Sequence, residues 1–282
     1  MNKGKKPKFQ LSRILLRIAL IFIALLVLLP MLIVLVPTFQ TVQESGQGIL
    51  RLPRTLNLDN YREAWRQSKF HIALRNSVVI TGSTIFINIM IGSIAAFPMA
   101  IREKNKVFKT AFYTFLVGLM LPFQVIMIPL YVLMGRTLKL TNTLTGTILV
   151  YVAMTLPITI FFFSQFIKTI PKEMEEASVI DGCGYLRMFY CIFFPLMKPI
   201  TSAVIIQNMI FLWNDLLVPL IMIDKTALKP IMPRVYMFFG QYYNQWNLAF
   251  SVLILAAIPF LLLFLLLQRQ FIKGLSSGAV KG

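Results

Sequence analysis

Titratable chemistry is scarce in this sequence. Of 282 residues only 13% are charged, ten are acidic, two are cysteine and one, His71, is histidine, whereas a soluble domain carries about 25% charged residues. A single imidazole cannot supply an acid–base relay, a zinc cluster or a serine triad, and His71 reads as a solvated or interfacial side chain. No Gly-x-x-x-x-Gly-Lys-Ser/Thr phosphate loop occurs and no strand-rich region could hold one, which excludes ATP hydrolysis by that route for this chain. Cys183 and Cys191 stand eight residues apart and make neither a disulfide framework nor a metal site. No catalytic residue, metal or resident cofactor is expected.

Apolar residues fill the space instead, at 57% of the chain. The bilayer core is about 30 Å thick and a spanning helix needs about 20 apolar residues. Uncharged or nearly uncharged runs of that length occur at 18–36, 76–101, 110–135, 141–167, 199–223 (interrupted only by Asp215) and 248–267. The sequence therefore predicts an all-α integral membrane protein with six spans and both termini on one side. The first run has a basic lead, but it is longer than a signal-peptide core and lacks a small-x-small cleavage site, so it reads as a retained anchor.

The 28 Lys and Arg do not form a basic domain of the kind that holds nucleic acid; they are spread through the loops. Six precede the first span, four fall within 102–109, four within 168–198 and three in the tail, leaving 11 on the opposite side. Cytoplasmic loops carry an excess of Lys and Arg. Both termini are accordingly expected inside, although the outer 38–75 segment carries six basic residues of its own. The expected organisation is a basic N-terminus at 1–17, a first span at 18–37, an outer segment at 38–75, a five-helix core at 76–267 and a cytoplasmic tail at 268–282. In the outer segment Asn60 and Glu63 read as a capping box opening a short amphipathic helix, with Tyr61, Ala64 and Trp65 on one face.

Within the core, the second span is rich in Gly, Ser, Thr and Ala, which lets helices approach closely in lipid. The third contains Pro122 and Pro129 and is expected to kink or break. Asp215, beside Trp213 and Asn214, is costly at membrane depth, so it either serves a cavity or partner or marks the end of the span at headgroup level. The 168–199 loop holds Pro171, then Glu173, Glu175 and Glu176, a pattern that opens a helix. Met174, Ala177, Ser178 and Asp181 share a face on which a partner groove could close. Gly182 and Gly184 break the helix, 185–194 resumes it and Pro195 stops it.

The segment Glu176-Ala177-Ser178, then Gly182, then Ile192-Phe193-Phe194-Pro195 resembles the Glu-Ala-Ala, three residues, Gly, nine residues, Ile-x-Leu-Pro signature of binding-protein-dependent ABC importer permeases. Serine replaces the second alanine and phenylalanine the leucine, with the spacing intact. Further segments, Thr55 to Tyr61, Asn76-Ser77, Ile128 to Tyr131, Trp213-Asn214-Asp215 and the Gly274 to Gly282 ending, are similar to the maltose-type (MalG-like) branch of carbohydrate importers. The resemblance covers about residue 50 to the end. It implies a type I, MetI-like permease fold in the bacterial cell membrane, a second homologous permease, two ATPase subunits that bind ATP and Mg, and an external sugar-binding protein. It further implies that Glu175, Glu176, Ala177, Ser178, Asp181, Gly182, Gly184 and Pro195 couple to the ATPase. By the same resemblance the Gly278-Ala279-Val280-Lys281-Gly282 tail reaches the ATPase interface, Trp213, Asn214 and Asp215 border the translocation path, and the 224–247 loop, with aromatics suited to stacking or anchoring, faces the binding protein. The residues alone leave two rivals open: an ion-coupled secondary transporter using Asp215, and a membrane assembly protein that moves no solute.

Overall fold

The computed structural model describes residues 8–48, 51–240 and 245–279. These form helices joined by short loops: α1 (Lys8–Leu35), α2 (Val42–Gln47), α3 (Asp59–Gln67), α4 (Phe70–Ile101), α5 (Lys106–Leu119), α6 (Phe123–Val132) and α7 (Leu144–Ile167). There follow α8 (Lys172–Ile180), α9 (Tyr185–Met188), α10 (Phe194–Leu196), α11 (Lys198–Asn214), α12 (Leu217–Met222), α13 (Ile231–Tyr236) and α14 (Trp246–Ala279). Among the described residues four stretches are long and apolar enough to span a bilayer: Leu15–Phe39, Phe70–Ile101, Leu144–Ile167 and Trp246–Gln268. Two bent pairs bring the number to six.

The first pair, Lys106–Leu119 with Phe123–Thr137, bends by 97°. Pro122 lacks the amide that would continue α5, and it stands immediately before α6. The second pair, Tyr185–Leu196 with Lys198–Asn214, bends by 73°. The fifth span is thus not the single run expected over 199–223. It stops at Asn214, Asp215 adopts an extended backbone, and a short α12 follows.

The chain divides into two compact units, residues 1–68 with 235–255, and residues 69–234 with 256–282. In the first unit Asn60 is the organiser. The expected capping box is absent: α3 begins at Asp59, the Asn57 side chain accepts from the Asp59 amide, and Glu63 binds Arg66 and Gln67 instead. Asn60 is buried within the helix, where its amide donates to the carbonyls of Thr38 (2.8 Å) and Gln40 (2.7 Å) and its oxygen accepts from Asn247 (2.9 Å). The box forms at Thr41 and Glu44, which opens α2. Of the expected apolar face, Ala64 is buried and Trp65 is exposed. Asn60→Ala leaves two buried carbonyls and the Asn247 amide unpaired, at about 1–3 kcal/mol each before relaxation. A clearly lowered midpoint for thermal unfolding in detergent is the expected result.

In the second unit α7 packs along α4. Gly92 lies at the contact, where an added Cβ would come 2.7 Å from Thr159 Cγ2. Lipid gives no hydrophobic drive between helices, so close approach and interhelical hydrogen bonds hold them together. Asn88 of α4 donates to Thr155 (2.6 Å) and Asn208 of α11 donates to Thr159 (3.1 Å), one turn apart on α7. α4 begins at Phe70, earlier than expected, after Lys69 in a left-handed conformation, and the exposed His71 is in its first turn.

Candidate functional site

The 168–199 loop is a helix, a tight reversal and a second helix, as the sequence implied. Glu173 and Glu175 occupy the first turn of α8, where the exposed amides favour negative charge. The helix closes on Gly182, whose φ of +69° suits a residue without a Cβ. The Gly182 amide donates to the Val179 carbonyl (3.0 Å) and the Cys183 amide to that of Ser178 (2.9 Å). This pair of bonds is the Schellman closure, which satisfies carbonyls at the helix end. Gly184 is extended, and its carbonyl accepts from the Met188 amide to start α9.

Pro195 does not stop the second helix. It stands in the first turn of α10, where a missing amide costs little, and the helical path runs on to Leu196 after a wider turn over Phe189–Phe193.

Of the expected face, Met174, Ala177 and Asp181 are exposed and Ser178 is not. Glu176 is exposed and Glu175 is half-buried. Ser178 is buried and turned inward, its hydroxyl donating to the Met174 carbonyl at 2.6 Å. The exposed large apolar residues of the loop include Met174, Val179, Ile180, Tyr185 and Leu186, with Ile180 84% exposed. Val179 and Ile180, two adjacent aliphatics ending a charged helix, are a sequence signal that the spacing of one small face leaves out.

The loop's second half is anchored. Met188, Phe189, Phe193 and Met197 are buried with Phe97 and Ala100 of α4 and Ile160, Phe163 and Ile167 of α7. The Phe97 ring centroid is 5.4 Å from Phe189 and 5.0 Å from Phe193. At the rim, the Arg102 guanidinium lies 4.4 Å over the Tyr185 ring and Lys168 pairs with Glu103 at 2.9 Å. The stretch after Gly184 is therefore fixed to the ends of two spanning helices by a packed core, which deforms little.

The second cluster, Trp213-Asn214-Asp215, separates into three environments. Trp213 is buried and its indole donates to the Ala256 carbonyl at 3.1 Å, so it does not face an open path within this chain. Asn214 is exposed, its amide donating to the Ile210 carbonyl. Asp215 accepts from the Tyr151 hydroxyl (2.8 Å) and from the Val218 (3.0 Å) and Leu217 (3.3 Å) amides, thereby opening α12. Tyr151→Phe removes one of these donors, at about 1 kcal/mol. A small drop in thermal midpoint, with larger losses for Asp215→Ala, is expected in detergent.

The 224–234 stretch is held at both ends. Asn142, at φ 58°, accepts from the Asp224 and Lys225 amides, while Asn76 donates to the Ala227 carbonyl (2.9 Å) and Ser77 accepts from the Ile231 amide (2.9 Å). Asn142 carried no sequence-level signal, since a left-handed residue between two spans is recognisable only once its partners are in place. Of the aromatics beyond it, Phe238 is buried, Tyr236 is exposed, and Tyr242 and Tyr243 lie outside the described residues. In the tail the backbone of α14 stays helical through Gly278 and Ala279. Val280, Lys281 and Gly282 lie outside the described residues.

The model of the family described as "Binding-protein-dependent transport system inner membrane component" matches residues 88–277. The melibiose/raffinose/stachyose import permease protein MelC of Bacillus subtilis is 37% identical over 231 residues, 82% of this chain and 83% of that protein. The probable starch degradation products transport system permease protein AmyC of Thermoanaerobacterium thermosulfurigenes is 32% identical over 274 residues, 97% of this chain and 99% of that one. A crystal structure of a bacterial ABC transporter that imports the acidic polysaccharide alginate shares the fold, with a TM-score of 0.76 at 16% identity over 96% of this chain and 100% of the matched chain. With more than half its length matched, and the loop motif inside the match, the chain belongs to the binding-protein-dependent transport system inner membrane component family.

Proposed function

We propose that this chain is the permease subunit of an ATP-driven importer for a sugar or oligosaccharide. It forms the translocation path with a second, homologous permease, two ATPase subunits bind ATP and Mg on the cytoplasmic side, and an external binding protein delivers the solute. The observation that carries the reading is the α8–Gly182 turn. It offers an exposed face at the family's signature while its continuation is locked into the core between α4 and α7. The names of the relatives support a carbohydrate as cargo. Asp215 spends its oxygens on capping α12, so it offers no support for proton coupling.

The test is solute uptake by the assembled transporter in sealed vesicles. Uptake that needs ATP inside and persists with a protonophore is the expected result; uptake driven by a proton gradient without ATP would overturn the proposal. Screening ligands of the cognate external binding protein then names the sugar.

Orientation is tested with an impermeant thiol reagent, after both native cysteines are replaced by serine because Cys191 is exposed. Lys225 and Lys106 are exposed and suit single cysteines, whereas Pro230 is buried and does not. Labelling at 225 and protection at 106 in intact cells is expected. The opposite pattern would place the loop outside and end the docking assignment.

A further inference from the structure

We propose that the start of α5 is a binding site for the headgroup of an anionic phospholipid. An open cleft of about 340 Å³ is bounded by Met99, Glu103, Lys104, Lys109, Phe112, Tyr113 and Lys168. Its lining holds three lysines and one carboxylate, a net positive charge. Lys168 already holds Glu103 at 2.9 Å, and this contact keeps the Glu103 carboxyl ionised by lowering its pKa. Lys104 and Lys109 are exposed, and among the described residues neither has a hydrogen-bond or ion-pair partner. The cleft also lies beside the first turn of α5, whose amides carry partial positive charge.

The helix below the cleft has the profile of a lipid contact. Phe108, Ala111, Phe112 and Phe115 turn one face of α5 to the core. The opposite face is exposed at Lys109, Tyr113 and Val117, and Met120 continues it at the helix end. Along this stripe the chemistry runs from ammonium through phenol to aliphatic and thioether. The rise from position 109 to 120 is about 16 Å, about half the thickness of the hydrocarbon core. Basic pockets between spanning helices bind anionic headgroups, and tyrosine settles at the headgroup level. The phosphodiester would meet Lys104, Lys109 and the Tyr113 hydroxyl, with the acyl chains lying over Val117 and Met120. This inference goes beyond the importer reading and needs only that α5 lie in the membrane.

The test uses the assembled transporter, purified in a zwitterionic detergent and titrated with phosphatidylglycerol or phosphatidylcholine, with bound lipid counted by native mass spectrometry. Phosphatidylglycerol should be retained over phosphatidylcholine. Lys104→Gln/Lys109→Gln should weaken that retention roughly 25-fold, since each basic residue near an anionic surface contributes about five-fold. Both lysines are exposed and unpaired, so the variant should fold, and Lys225→Gln should behave as wild type. Equal retention of the two lipids, an unchanged double variant, or equal competition by soluble glycerol 3-phosphate would overturn the site. A photo-crosslinking residue at position 113 gives a second measurement: capture of lipid supports the proposal, and capture of another subunit refutes it. Neither result depends on whether solute uptake requires ATP.

Discussion

Replacing Gly182 by leucine is expected to lower uptake on the order of ten-fold while ATP hydrolysis by the assembled complex continues, within the 5–150-fold range typical of coupling between sites. The glycine holds φ +69° and nothing lies within 4 Å of a Cβ built there. The penalty is therefore one of backbone conformation, about 1–2 kcal/mol, and not of collision. That cost is paid by the Schellman closure, because a residue that avoids the left-handed region cannot make both terminal bonds. The turn then loses its shape while the spans, whose packing does not include it, still insert. Glu176→Lys is the companion experiment. Glu176 is exposed, so its reversal changes the charge offered to another subunit without disturbing a buried contact. Uptake, ATPase rate and co-purified ATPase are measured for both variants beside Thr226→Ala in the opposite loop. Normal uptake and normal ATPase retention in both variants would reduce the loop to a connection.

The largest effect on assembly is expected at Gly92. A methyl group there meets Thr159 Cγ2 at 2.7 Å, and Thr159 cannot swing away freely because its hydroxyl donates to the Thr155 carbonyl (3.0 Å) and accepts from Asn208 (3.1 Å). Overpacking of this kind costs about 1–3 kcal/mol. Gly92→Ala should lower the thermal midpoint, and Gly92→Leu should remove most folded protein from the membrane. Thr159→Ser keeps the hydroxyl and deletes the obstructing methyl, so Gly92→Ala/Thr159→Ser should recover most of the loss. A double variant no better than Gly92→Ala would show that the close approach of α4 and α7 is not what limits stability.

Both experiments separate what a linear pattern can and cannot carry. The apolar runs, the proline break in the third span and the glycine reversal of the loop were all legible, because each depends on residue type at one place in the chain. So was the family signature, whose spacing survives two substitutions. The orientation of individual polar side chains was not legible. Ser178 matched the exposed face by its spacing, yet its hydroxyl bonds the preceding turn of its own helix and the side chain is buried.

Asn60 and Asp215 show the same limit from opposite directions. Local spacing placed Asn60 at a helix start, but the carbonyls of Thr38 and Gln40 and the amide of Asn247 need a partner, and the asparagine supplies it from inside α3. Asp215 read as either a functional charge or the end of a span. The end of α11 at Asn214 and the Tyr151 hydroxyl 2.8 Å away gave it a capping role. By itself the sequence determined that this is a helical membrane chain with a signature loop. Tertiary structure alone decided which polar groups meet, since a buried hydrogen bond joins residues far apart in sequence and only packing sets their distance.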